Sequence, residues 1–359
     1  MSDLTERELL DTPPLPAGWT SAPPVPGDVD DLVRLLRRHE REARGFPGAD
    51  SENVAAEVTG RGAQTRTHIV VRDEVGTVRA WVNCHDRGSR RVLVGVTVDP
   101  DLTPDVADGV AEHCLALAEG FARRIKVDRA VARSHMDSGA FENDERQQRW
   151  LSDAGFELVR HWWQMSREVT PQEQTSLPEP REGVTIRRVR RDDGVGMPDE
   201  QDLRDIHQVL EDSFADHFNS YREPFEDFLD RLREDPGHRW DHWWLASVDG
   251  SPAGAVVAST TTGHMDSDGQ PCPDGSYVDY IGVSAAARGR GVAKALLYAV
   301  IADAAARGRN RVGLEVDANS PTKADRLYTA LGWHTAYVTQ SWHKDLGDDA
   351  TSTREGQVS

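Results

Sequence analysis

The strongest constraint on this chain is that one long pattern occurs twice. Between residues 277 and 342, a strand-like apolar run (277–283) precedes an Ala/Leu-rich helical stretch (292–307). A second strand (311–316), a short helix (324–331), a turn at Gly332 and a last strand (336–342) follow. The same order recurs from 91 to 165: strand 91–98, helix 106–123, strand 129–132, short helix 145–154, turn at Gly155 and strand 159–165. A hairpin with a glycine turn precedes each block, at 69–82 and 244–257, and helical segments at 29–44 and 202–218 precede the hairpins. Segments of this length cannot bury their apolar faces alone. The repeat therefore predicts an α/β chain, mixed in the α+β sense, of two tandem units, each a mixed central sheet flanked by helices.

Composition suggests where the units divide. Apolar periodicity stops at 170–182, where Pro and polar residues take over, so this segment is expected to link a unit at 15–169 to one at 183–346. The polar ends, 1–14 and 347–359, are expected to be disordered tails. A length of 359 residues agrees with two domains of ordinary size.

No apolar run approaches the roughly 20 residues that span a bilayer, and the first residues are acidic where a secretory signal is basic and then apolar. A soluble, cytoplasmic protein with no membrane partner is the expectation, as a monomer or a homodimer. Cys84, Cys114 and Cys272 are scattered and read as reduced thiols. A formal net charge of -19 argues against nucleic acid as a partner and favours a small, cationic acceptor such as an amine, although acidity also serves plain solubility. His217, His238 and His242, near Asp216 and Asp241, lack regular ligand spacing, so no metal is assigned.

The chemistry-bearing segment is 284–293, between the strand ending at Val283 and the following helix. Glycines at 289 and 291 let the backbone approach a ligand closely, and the first amides of a helix have no internal partners. Such a place suits an anion, with Arg288 adding charge at the rim and the small Ala293 keeping the first turn open. The Gly-Lys-Ser/Thr ending of a Walker loop and the Rossmann glycine spacing are both absent. In the first half, the corresponding stretch 99–108 carries prolines and carboxylates and no glycine, which disfavours a phosphate.

Arg288-Gly289-Arg290-Gly291-Val292-Ala293 after a strand, then Asn319, then Tyr328 within 327–333, resembles the arrangement of the GNAT superfamily of N-acetyltransferases. The resemblance covers 183–346 and is most specific at 278–333. It implies acetyl-CoA as co-substrate, its pyrophosphate on the amides of 288–293. The strand Ile281-Gly282-Val283 would then be splayed from its neighbour and pair with the pantetheine arm, with Asn319 and Tyr328 near the thioester. It further implies acetyl transfer to an amine by direct attack in a ternary complex, the Val283 amide facing the developing oxyanion.

Proton transfer needs its own groups. Asp279 is the first candidate base, four residues before Val283 and on the same face by strict alternation, and Glu315 on the next strand is the second. His264 is a weaker candidate. Tyr328 stands where the family places a proton donor for the departing thiolate. Phe214, Phe218, Tyr221, Phe225, Phe228 and the run 240–244 shape either the acceptor pocket or the core. The two-half layout is also similar to mycothiol synthase-type tandem acetyltransferases. Another acyl group, that acceptor class, or a non-catalytic CoA- or ligand-binding module stay open as alternatives. The first half would keep the fold without ordinary CoA binding, and would line the acceptor site, brace its partner, or hold CoA weakly by another route.

Overall fold

The computed structural model describes residues 12–347 apart from 61, 88–89, 192–195, 216–222, 234–237, 266–270 and 320–323. The side chains of 231, 238–239 and 264–265 are also outside the described set. Of the tails expected at 1–14 and 347–359, residues 1–11 and 348–359 lie outside the described residues, as do Asp216, His217, Phe218 and Tyr221 and the side chains of His238 and His264.

Twelve strands form one sheet: β1 (Thr20–Ala22), β2 (Arg66–Arg72), β3 (Val78–Asp86), β4 (Arg91–Val98), β5 (Ser134–Phe141) and β6 (Glu157–Glu168), then β7 (Val184–Arg188), β8 (His238–Val248), β9 (Ser251–Thr261), β10 (Gly275–Val283), β11 (Arg311–Asp317) and β12 (His334–Leu346). Their spatial order is β1-β2-β3-β4-β5-β12-β6-β11-β10-β9-β8-β7. Each half has exchanged its last strand with the other. β12 pairs with β5 of the first half, β6 pairs with β11 of the second, and the two exchanged strands pair antiparallel at the centre. The repeat seen in the sequence is thus present, but its halves share hydrogen bonds throughout the middle of one sheet.

The helices are α1 (Val29–Arg44), α2 (Ser51–Val58), α3 (Pro104–Asp128), α4 (Glu145–Asp153), α5 (Glu200–Phe214), α6 (Phe225–Arg233), α7 (Val292–Ala306) and α8 (Ala324–Ala330). End chemistry explains α1: Asp30 and Asp31 lie in the first turn, Arg41 and Arg44 in the last, and Gly45 stops the helix at φ 88°. On β4, Val92, Val94, Val96 and Val98 are buried in alternation and pack with Ala107, Cys114 and Phe121 of α3. The equivalent layer of the second half joins Val278 and Leu314 to Leu296 and Val300 of α7. The opposite face is covered by α1 and α2 over Trp81, and by α5 and α6 over Trp243. Trp243 and Trp244 thus serve two cores on opposite faces.

One expected strand, 129–132, is not there. α3 continues to Asp128, the turn passes through Ala130 at φ 52°, and β5 starts at Ser134. Lys126, buried in the last turn of α3, donates to the Gly347 carbonyl at 2.6 Å and anchors that extension. The segment 170–182 contains a helical turn (Glu173–Ser176) and packs Leu177 against the core under α7. Among the described residues no helix is long and apolar enough to cross a membrane.

Candidate active site

β10 and β11 are parallel but pair only from Ser276–Val278 to Val312–Leu314. Beyond that point they diverge, while the other edge of β10 stays paired with β9 through Val283. Among the described residues, the edge of β10 from Ile281 to Val283 that faces β11 therefore has no strand partner, and its backbone groups are available to a ligand. A bulge between Val278 and Tyr280 sits at the fork.

The bulge also reverses the expected facing of Asp279. Strict alternation would place it with Val283, but Ile281 and Val283 pack toward the α7 core, and Tyr280 packs with Phe214 on the opposite face. Asp279 accepts a hydrogen bond from the Ser259 hydroxyl at 3.1 Å, which keeps it level with the fork. One extra residue in the strand changes the phase, so the alternation argument fails at that residue.

At the far end of the open edge lies the loop before α7. A short 3-10 turn (Ala285–Ala287) leads to Gly289 at φ 79° and Gly291 at φ 87°, the latter being the residue that opens α7. The loop bonds to itself through the amides of Ala287, Arg288 and Arg290. The amides of Gly289, Gly291, Val292 and Ala293 have no backbone partner among the described residues, which gives an anion-ready helix start. Arg290 is drawn toward Asp249, at 3.4 Å. Arg181, from the segment before β7, lies over the loop instead. It donates to the Gly289 carbonyl at 3.1 Å, and a Cβ on Gly291 would stand 3.0 Å from its Cδ.

Glu315 is the first residue of β11 beyond the fork. Its carboxylate can be reached by water but is enclosed by protein on most sides. That withdrawal from bulk water raises its pKa above the ordinary value, against a lowering hydrogen bond from Gln164. Gln164, on β6, also donates to the Thr339 hydroxyl at 3.0 Å and accepts from the Tyr277 hydroxyl at 3.2 Å. Burial, with Glu315 and Asp279 nearby, drives the Tyr277 pKa up. Tyr328 is buried in the α7 core, edge-on to Trp333 at 6.2 Å, and burial pushes its pKa up to about 12. Asn319 is exposed, and its backbone amide donates to Asp317 Oδ1 at 2.8 Å.

A cavity of about 840 Å³ lies on the α1 side of the sheet, walled by both halves. Arg44, Phe46 and Asp50 from the first half face Gln164, Tyr277 and Tyr337 across it. Arg44 donates to the Tyr337 hydroxyl at 2.7 Å and pairs with Glu40 at 3.0 Å, and Asp50 accepts from Thr262 at 2.6 Å.

The first half repeats the fork without the loop. β4 and β5 pair only from Arg91–Leu93 to His135–Asp137, and no bulge interrupts the pairing of β4 with β3. Where the second half leaves amides open, Asp99 turns inward. It accepts from the Asp101 amide at 3.1 Å and from Arg38 and Arg79 at 2.9 Å each. Pro104 then begins α3 without a donor.

Ile281, Gly282, Val283 and the loop 288–293 thus lie along one continuous edge, with Asp279 and Glu315 at its base. Tyr328 packs under the same α7. His242 has its Nδ1 3.2 Å from Asp241 Oδ1 and its Nε2 2.7 Å from Arg309 Nη1. Sequence reasoning missed Gln164 and Arg181. Gln164 belongs to the strand read as the end of the first half, and nothing in its spacing announces the exchange. Arg181 is one arginine in a polar stretch.

Residues 203–333 match the family model described as Acetyltransferase (GNAT) family. A GCN5-related N-acetyltransferase from Sphaerobacter thermophilus superposes with a TM-score of 0.70 at 24% identity, covering 92% of this chain and 97% of that one. A tandem GNAT protein from the clavulanic acid biosynthesis pathway gives 0.66 at 15% identity, covering 92% and 99%. Saccharomyces cerevisiae N-myristoyltransferase with bound myristoyl-CoA gives 0.59 at 13% identity, covering 94% and 81%. Among curated proteins none matches by sequence.

Proposed function

From the premise that residues 203–333 form a GNAT-family domain in a chain of tandem GNAT fold, a fold that serves acyl transfer from acyl-CoA, we propose that this protein transfers acetyl from acetyl-CoA to a small amine. The observation that carries the reading is the edge of β10 at 281–283, which no strand covers among the described residues and which lies between two carboxylates at the fork and a loop of open amides at the start of α7. An extended arm ending in a pyrophosphate matches such an edge: backbone pairing along 281–283, then amides at 289–293 and the Arg181 guanidinium for the phosphates. The two positive-φ glycines fit that role, because a side chain at 291 meets Arg181.

The acceptor occupies the 840 Å³ cavity on the opposite face, whose lining carries Glu40, Asp50 and Glu57 against Arg44 and Arg311, an excess of one carboxylate that favours a cation. Glu315, its pKa already raised, takes the proton of the ammonium directly or through water, with Asp279 as the neighbouring carboxylate. The neutral amine attacks the thioester carbonyl carbon, and the Val283 amide on the open edge stabilises the oxyanion. As the intermediate collapses, the C–S bond breaks, Tyr328, which holds its proton at neutral pH, protonates the leaving thiolate, and the nitrogen's remaining extra proton returns through water to the tyrosinate, leaving neutral amide and free CoA thiol. The first half holds no acetyl-CoA and acts by walling the acceptor cavity.

The test is thiol release from acetyl-CoA by full-length protein against pooled small amines, with calorimetry of acetyl-CoA binding alongside. Amine-dependent release supports the reading. Binding without release from any pool leaves a CoA-binding module, and absence of both removes the assignment.

A further inference from the structure

We infer that His135, Asp137 and His343 form a binding site for a borderline divalent transition metal of the zinc type. The three come from adjacent antiparallel strands: His343 stands opposite Asp137 in the β5–β12 register, and His135 lies two residues along. His343 Nε2 is 3.0 Å and His135 Nε2 3.4 Å from the same atom, Asp137 Oδ1. One ligand atom from each residue lies within 4.8 Å of the others. Ligands at about 2.0–2.2 Å around a tetrahedral ion are separated by roughly 3.3–3.5 Å, so a small adjustment accommodates the ion.

A second observation points the same way. The Asp137 side chain is only 6% exposed. Its Oδ2 accepts from Arg91 Nε at 2.6 Å, whereas Oδ1, aimed between the two imidazoles, makes no hydrogen bond of acceptable geometry, and neither does His135 Nε2. A buried carboxylate oxygen that meets two imidazole nitrogens without a well-directed hydrogen bond is poorly stabilised, and a cation bound between the three removes that cost. Arg91 on the outer oxygen fixes the carboxylate, as an outer-shell partner does.

Asp137 and His343 line a cavity of about 490 Å³ at the fork of the first half, together with Asn83, Ser138, Gly139 and Trp162. Two imidazoles and a carboxylate leave coordination positions for water or for an anionic donor on a small molecule entering that cavity. The fork of the first half, completed by His343 from the exchanged strand of the second, thus holds a metal. This inference is independent of the acetyl-transfer reading.

Full-length protein stripped with chelator and titrated calorimetrically with Zn²⁺ takes up a single equivalent, and Ca²⁺ produces no heat. His343→Gln and Asp137→Asn each weaken Zn²⁺ binding more than ~100-fold, while His161→Gln binds as the parent does. Thermal melts establish that each variant is folded, and His135→Gln replaces any that is not. With Co²⁺ in place of Zn²⁺, visible d–d bands appear for the parent and are lost in the ligand variants. No Zn²⁺ binding tighter than about 100 µM, or binding unaffected by the ligand variants, would overturn the site.

Discussion

The side-chain amide of Gln164, on the last strand of the first half, donates to the carboxylate of Glu315 on the second. One half therefore helps set the proton affinity of a candidate base on the other. Gln164→Leu removes the hydrogen bond that holds the Glu315 pKa down, so that pKa rises further. The acid limb of kcat/KM against pH should move upward in this variant, with acetyl-CoA affinity unchanged by calorimetry. An unmoved limb would remove Gln164 from the mechanism.

Glu315 and Asp279 flank the fork and are separable by pH profile. A base with a raised pKa must lose its proton before it acts, so activity falls as pH drops through a value above the ordinary carboxylate range. Glu315→Gln should lower kcat by about 10²–10⁴ and abolish that limb. Asp279→Asn should keep the limb at a reduced rate. The opposite pattern would exchange the two roles.

At the loop, Gly291→Leu places a β-carbon on a left-handed backbone and against Arg181. Acetyl-CoA binding should be lost while the melting temperature stays within a few degrees. Arg181→Ala, a milder change, removes one charge from the phosphate end and should weaken acetyl-CoA by about tenfold, in proportion to a charge-assisted contact. Equal affinity of Arg181→Ala and the parent protein would show that Arg181 serves the apo loop alone.

Asp202 and His242 are two of the buried groups that make stability fall in acid, beside His68 and His85. Burial works to raise the Asp202 pKa, but hydrogen bonds from Arg187 and Arg190 outweigh it and depress the value, so its contribution is lost as pH falls below the ordinary carboxylate range. For His242, burial lowers the pKa from 6.5 to about 4, with Arg307 and Arg309 adding to the effect. Between those values the unfolded chain binds a proton that the fold refuses, so stability should decline as pH drops from 6.5 toward 4. Melting temperature against pH checks this: His242→Gln should flatten the slope over that window. Asp202→Ala should lower the melting temperature at pH 7 and remove the loss below the ordinary carboxylate range, because it deletes the acceptor shared by Arg187, Arg190 and the Arg190 amide.

Local signals made much of this readable from the chain. The repeat, the Gly289–Gly291 turn and the start of α7 at Val292 depend on neighbours in sequence, and they appear where periodicity and backbone freedom place them. What could not be read depends on distant partners. The pairing of β6 with β11 joins Trp162 to Asp317, and period-two alternation says which face a residue takes but not which strand lies beside it. The bulge at Asp279 left no glycine or proline to mark it. The cluster of His135 and Asp137 with His343 is created by the exchange itself, so no spacing within either half could show it.

The exchanged strand also sets an order of events during synthesis. β5 is made early, yet its antiparallel neighbour is β12, which ends at Leu346. The first half therefore waits with an open strand edge while the second half is being translated, and the loop between these partners is closed only at the end. Such long-range pairing is slow, and the exposed edge is the segment a chaperone would have to guard. A translation pause or truncation upstream of residue 334 would leave both halves unfinished, not one.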